Sequence, residues 1–187
     1  MKRLWVILTT VVVLWWLSSG TVNAAIADDV QKLLDTNECP VCILNEARLE
    51  DLDLAHANLK IAVLTNANLT GTNLQEANLM LSDLEAANLT RANLTQAQLN
   101  GANLLRANLS GANLTGAEMT QANLEDANLE GANLENAIML SVTLGQANLK
   151  GANLKGANLR GVNRSQALLC ETIMPDGAVE NRNCPTP

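Results

Sequence analysis

Leucine recurs every five residues from Leu44 to Leu159, with only Met119 and Met139 in its place. A small residue, usually alanine, stands two places before each leucine, and asparagine usually one place before, as in Ala57-Asn58-Leu59 and Ala157-Asn158-Leu159. In an α-helix five residues turn about 500°, a net drift of roughly 140°, so these leucines would scatter around the cylinder. In a flat strand an odd period sends successive leucines to opposite faces. A one-sided core forms only if the chain bends after each pentad. The leucine and the small residue then point inward, and three residues point out. Four bends close a coil of about 20 residues, and coils stack at about 4.8 Å by backbone hydrogen bonding. The pattern predicts an all-β solenoid whose repeats contact only their neighbours.

The units Ala102-Asn103-Leu104 and Ala152-Asn153-Leu154 stand intact in this register. On them the chain resembles the pentapeptide-repeat family, over residues 42–169. The resemblance implies a right-handed quadrilateral β-helix; the spacing alone fixes neither the hand nor the four sides.

The flanks break the pattern. Lys2 and Arg3 precede an apolar run from Leu4 to Leu17, followed by Ser18-Ser19-Gly20-Thr21 and the small-residue site Val22-Asn23-Ala24. This predicts a secretory signal over residues 1–24, cleaved between Ala24 and Ala25. The run is short of the roughly 20 apolar residues that span a bilayer, so membrane attachment is expected only if the segment stays uncleaved. In residues 25–41, Ile26, Val30, Leu33 and Leu34 keep helical spacing. They predict a helical cap whose stripe covers the first coil, with Asp28 or Asp29 serving the helix N-terminus. Arg164 takes a leucine position, so the repeat is expected to fail there. Residues 170–187 are read as a second short helical cap, containing a turn at Pro175-Asp176-Gly177.

Removing the leader removes Trp5, Trp15 and Trp16 and leaves no Trp, Tyr or Phe. Ten basic against nineteen acidic residues remain, a net charge of −9. Such a surface lacks the cationic phosphate contacts and stacking platforms of a nucleic-acid binder.

Four cysteines lie outside the regular repeats: Cys39, Cys42, Cys170 and Cys184. Six coils at about 4.8 Å would separate the two pairs by roughly 30 Å, far beyond a zinc–sulfur bond of about 2.3 Å, so no joint zinc site is expected. Export favours disulfides, Cys170–Cys184 and Cys39–Cys42. A redox role for Cys39-x-x-Cys42 would want a βαβ context and a tuned thiolate, and neither is visible. The segment Leu33 to Cys42, with Cys170 to Cys184 around Met174-Pro175-Asp176-Gly177, resembles exported cyanobacterial pentapeptide-repeat proteins. That resemblance implies the periplasm or thylakoid lumen. Many such proteins carry Gly where this chain has Val41.

No catalytic constellation is evident. His56 is the only histidine and falls at an outward turn position, one coil above Glu76, which predicts a solvated pair. No serine or cysteine nucleophile recurs beside it. The asparagines predict ladders bonded to the backbone or to one another. Gly71, Gly101, Gly111 and Gly116 share a phase that suits a turn residue with positive φ. Neither a cofactor nor a metal is called for. Among outward positions Ile43, Ile61, Val63, Met80, Leu81 and Leu140 are apolar, five of them on three successive N-terminal coils. Such a cluster on a polar exterior marks a contact surface. The expected function is non-enzymatic: protein binding or scaffolding outside the cytoplasm, toward an unidentified protein partner or a second copy. The alternative implied by the family resemblance is an acidic DNA mimic acting on a DNA-binding enzyme such as gyrase, which the leader opposes. The third reading is a redox-linked protein using Cys39 and Cys42.

Overall fold

The structure is a computed structural model, and it describes residues 24–184; the expected leader lies outside the described residues. Helix α1 spans Ala24–Thr36. Parallel bridges then join residue n to residue n+20 in unbroken succession from Glu38↔Asn58 to Ile138↔Asn158. The chain is therefore a stack of coils of 20 residues, as the leucine period requires. Stacking begins at Glu38, four residues before the expected boundary, and extends to Asn153↔Ile173 within the C-terminal cap.

Each wall is bonded the same way. Val63 donates its N–H to the Cys42 carbonyl at 2.9 Å and accepts the N–H of Leu44 at 2.7 Å. At the corner Glu46 donates to the Thr65 carbonyl at 2.9 Å, and Ala47 closes the turn on the Leu44 carbonyl at 3.1 Å. Glu46 has φ of 58°, and its equivalents recur at positive φ every five residues through most of the stack. Positive φ at the third of four residues, with this closing bond, is the signature of a type II turn. One outward residue between two corners is too little for a long strand. Regular strands among the described residues are accordingly confined to the C-terminal cap.

The core follows the pattern. Leu44 to Leu154, including Met119 and Met139, are all at most 1% exposed. The small inward residues are buried beside them, apart from Leu52 and Val162, which are half-buried. Larger or polar inward residues sit on particular walls. Thr72 and Thr172 share one with Leu52, and each hydroxyl donates to a leucine carbonyl, Leu49 at 2.6 Å and Leu149 at 2.7 Å. Ser82, Val142 and Val162 share the opposite wall, and Ser82 donates to the Leu79 carbonyl at 2.8 Å. The wall of Ala107 carries only alanine from Ala47 to Ala167. Ala107→Val should therefore lower the melting temperature more than Ser82→Val, because overpacking a filled interior costs about 1–3 kcal/mol. Equal shifts in a thermal unfolding experiment would refute this difference between the walls.

The N-terminal cap is the expected helix. Val30 and Leu33 are buried, Ile26 and Leu34 pack against the core, and Asn37, at φ 57°, ends α1 in a left-handed cap. Asp28 and Asp29 do not serve the helix N-terminus, because α1 starts at Ala24 and leaves them in its second turn. Asp29 instead accepts the Ile43 N–H at 2.7 Å. It thus satisfies a donor at the upper edge of the first coil, where no earlier coil can.

The C-terminal cap corrects the expectation of a helix. It is a two-stranded antiparallel hairpin, β1 (Thr172–Ile173) with β2 (Val179–Glu180). Thr172 and Met174 alternate inward with Ile173 between them and continue the coil beneath Ala152 and Leu154, a period a helix cannot keep. Pro175-Asp176-Gly177 forms the expected turn, with Gly177 at φ 85°. Arg164 is exposed, as its place in a leucine column requires.

Candidate interaction surface

The outward positions are mostly polar ladders. Asn93 donates to Asn73 at 2.9 Å, Asn148 to Asn128 at 3.0 Å and Asn153 to Asn133 at 3.1 Å, each one coil apart. The same Oδ1 atoms accept the N–H two residues on, as Asn73 does from Gln75 at 3.3 Å. The amides are thus occupied in holding corners. His56 Nδ1 lies 3.4 Å from Glu76, the stacked pair expected, with the imidazole 66% exposed. Glu130 and Lys150 pair at 3.5 Å across one coil. Arg106 stands one coil above Asp126 in the 20-residue register but pairs with Glu85. Glu135 and Lys155 stack in register without an ion pair among the described residues.

All four cysteines form disulfides, Cys39–Cys42 and Cys170–Cys184, with Cα separations of 5.3 and 4.8 Å. Asp29, Cys39 and Cys42 bring a carboxylate oxygen and two sulfurs within 4.8 Å. With the sulfurs bonded to each other, neither offers the thiolate that binds a metal or attacks a substrate. A shallow depression of about 400 Å³ at the C-terminal cap is lined by Arg164, Met174, Pro175, Asp176, Ala178, Val179 and Glu180.

The apolar positions single out one region. Ile43 is 49%, Ile61 45%, Val63 36% and Leu81 56% exposed. Ile43 bridges to Val63, so their side chains stand one above the other on one wall. Ile61 and Leu81 lie one coil apart on the adjoining corner. Met80 is half-buried, as are most residues at its turn position. Leu140 is half-buried too and lies three coils below Met80, separated by Asn100 and Thr120. It does not belong to the cluster. Val41, 65% exposed, does belong to it and was missed by the sequence reading. It precedes the regular repeats, but it stands 20 residues before Ile61, which is the signal that finds it. Ile138 at 39% and Val179 at 58% are exposed elsewhere. Ala24 and Ala25, the expected cleavage site, are exposed in the first turn of α1. Among the described residues no helix is long and apolar enough to cross a membrane.

A family profile described as Pentapeptide repeats (8 copies) matches residues 42–80, 77–116, 102–139 and 137–174. The chain belongs to the pentapeptide-repeat family, whose members form right-handed quadrilateral β-helices and are generally non-enzymatic structural or binding modules. It is similar to HetL, a pentapeptide repeat protein involved in heterocyst differentiation regulation in the cyanobacterium Nostoc sp. strain PCC 7120, at 34% identity over 76% of this chain and 74% of that one, with a TM-score of 0.36. It is similar to QnrB1, a plasmid-mediated fluoroquinolone resistance protein, at 15% identity over 68% and 72% of the two chains, with a TM-score of 0.48. It is also similar to a pentapeptide repeat protein of the Arabidopsis thaliana thylakoid lumen, at 24% identity over 79% and 77%, with a TM-score of 0.27. No curated protein matches it.

Proposed function

We propose that this protein is an exported, non-enzymatic binding or scaffold module of the periplasm or thylakoid lumen, built as a right-handed four-sided β-helix. The observation that carries the reading is the cluster of exposed Val41, Ile43, Ile61, Val63 and Leu81 on an exterior made mostly of polar ladders. Folding gains little from leaving five aliphatic side chains in water. Export is supported by the Lys2–Ala24 leader pattern and by the engagement of every cysteine in a disulfide, a state that persists in oxidising compartments. Fractionation of the native cells with mass measurement tests the compartment. The expected result is a chain beginning at Ala25, in a fraction outside the cytoplasm, with no titratable thiol. A chain beginning at Met1 in the cytoplasm, with free thiols, would overturn it.

A further inference from the structure

The exposed cluster lies on backbone that does not favour its side chains. Val41, Ile61 and Leu81 occupy successive levels of one corner, at φ of 62°, 60° and 58°. Gly101 takes the next level of the same column at φ 68°. A left-handed corner suits Gly, and Asn or Asp next. For β-branched Val41 and Ile61 it is a strained conformation. These side chains are also 65% and 45% exposed, so the core does not explain them. Strained side chains that burial does not explain point to a contact made from outside the fold.

Charge decides what the contact is. Residues 24–87 hold eleven acidic and three basic residues, a net charge of −8, while residues 88–187 hold eight and seven, a net charge of −1. Almost all of the net negative charge therefore lies on the helical cap and the coils that bear the cluster. Its surroundings follow the register. Asp29 sits above Ile43 and Asp83 directly below Val63. Glu46 and Glu85 stand on the corner beyond, and Glu38 stands on the wall beyond Val41. Lys60 shares the corner column and Lys32 of α1 reaches Cys42, between Val41 and Ile43, at 4.0 Å, against five carboxylates around the cluster, while Arg106 is engaged with Glu85. A second copy docked face to face would bring −8 against −8. An anionic lipid surface would be repelled in the same way. A cationic surface with an aliphatic centre meets both requirements at once.

We infer that the wall and corner carrying Val41, Ile43, Ile61, Val63 and Leu81 dock a basic polypeptide that presents an aliphatic face. This rests on the binding-module reading and names the class of partner.

The test uses the protein as isolated from cells and three synthetic 18-residue labelled peptides. One is a Leu/Lys amphipathic helix, one has Glu in place of Lys, and one has Ser in place of Leu. Fluorescence anisotropy should show the Leu/Lys peptide binding, the Leu/Glu peptide not binding, and the Ser/Lys peptide binding at least tenfold more weakly. The pair Val41→Gly and Ile61→Gly should weaken Leu/Lys binding at least tenfold while the melting temperature stays level or rises, since glycine suits those corners. Glu125→Gln with Asp126→Asn, on a distant coil, should change binding less than twofold. Equal binding by the Val41/Ile61 variant and the parent overturns the assignment. So does a parent dimer, seen by sedimentation, that the two glycines dissolve, which would make the occupant a second copy. Parent binding to phosphatidylcholine vesicles that the glycines abolish would make it a membrane and overturn the assignment as well. A native partner captured equally by parent and variant removes this surface but leaves the binding-module reading intact.

Discussion

Leu109→Ala should destabilise the protein by about 3–5 kcal/mol, the upper part of the range for leucine deletions in a close-packed interior. Leu109 is 0% exposed and lies near the middle of the stack. It is followed and preceded by identical leucines one coil away, Leu89 and Leu129, both also 0% exposed. The walls are tied by coil-to-coil hydrogen bonds, such as Leu109 N–H to the Asn128 carbonyl at 2.7 Å. They cannot close on the missing side chain without breaking that ladder, so most of the cavity remains. Leu159→Ala is the comparator. Leu159 stands in the same kind of inward position but is only partly buried, near where the coil opens at Arg164. Its truncation should cost about 1 kcal/mol, in proportion to the smaller area withdrawn from water. Chemical denaturation of both variants measures the contrast. Equal losses would mean that the leucine columns do not share load from level to level as stacked repeats must.

The core was legible because a five-residue period has so few physical solutions. Once a leucine must be inside at every fifth place, the bend, the 20-residue coil and the positive φ at the corner follow together. The register carried over to Glu130–Lys150 and His56–Glu76, which meet one coil apart. It did not predict Arg106, which reaches diagonally to Glu85 instead of down to Asp126. Backbone stacking fixes where a Cα sits, but a long exposed arm can reach several carboxylates at similar cost.

The ends were less legible because each mixes two periods. Residues 25–41 were assigned whole to the helical cap on the spacing of Ile26, Val30, Leu33 and Leu34. The helix in fact stops at Thr36, and Glu38 to Cys42 already lie in the first coil. That misplacement hid Val41 from the contact surface. At the other end Ala167-Leu168-Leu169 and Thr172-Ile173-Met174 stand five residues apart and keep the inward–outward–inward order. Arg164 interrupted the count just before them, and the continuation from Cys170 onward, with Thr172-Ile173-Met174, was read as a separate cap. Strain at Val41 and Ile61 was not readable from composition. It required knowing that their turn place carries positive φ even where the residue is β-branched.

Replacing Cys170 and Cys184 together with serine should cost about 3 kcal/mol and make the protein self-associate. The disulfide joins residues 14 apart, and the chain-entropy relation gives about 3 kcal/mol for a loop of that size. The second effect comes from what the loop holds down. The segment around Cys170 supplies the last layer of the stack: Leu149, Gly151, Leu154 and Gly156 donate to the carbonyls of Leu168, Cys170, Ile173 and Pro175. It also seats Ala167, Leu169 and Thr172, all at most 1% exposed, beneath the preceding coil. When the hairpin opens, those N–H groups become an unpaired edge beside uncovered leucines. Such an edge is a template for another chain. The Cys39–Cys42 bridge closes a far shorter loop, for which the same relation gives about 2 kcal/mol. Its removal leaves α1 still packed through Val30 and Leu33 and the upper edge still bonded by Asp29. The Cys39→Ser/Cys42→Ser pair should therefore melt earlier without associating. Thermal unfolding with light scattering separates the two variants. If both stay monomeric to the same concentration, the C-terminal hairpin is not what keeps the coil edge closed.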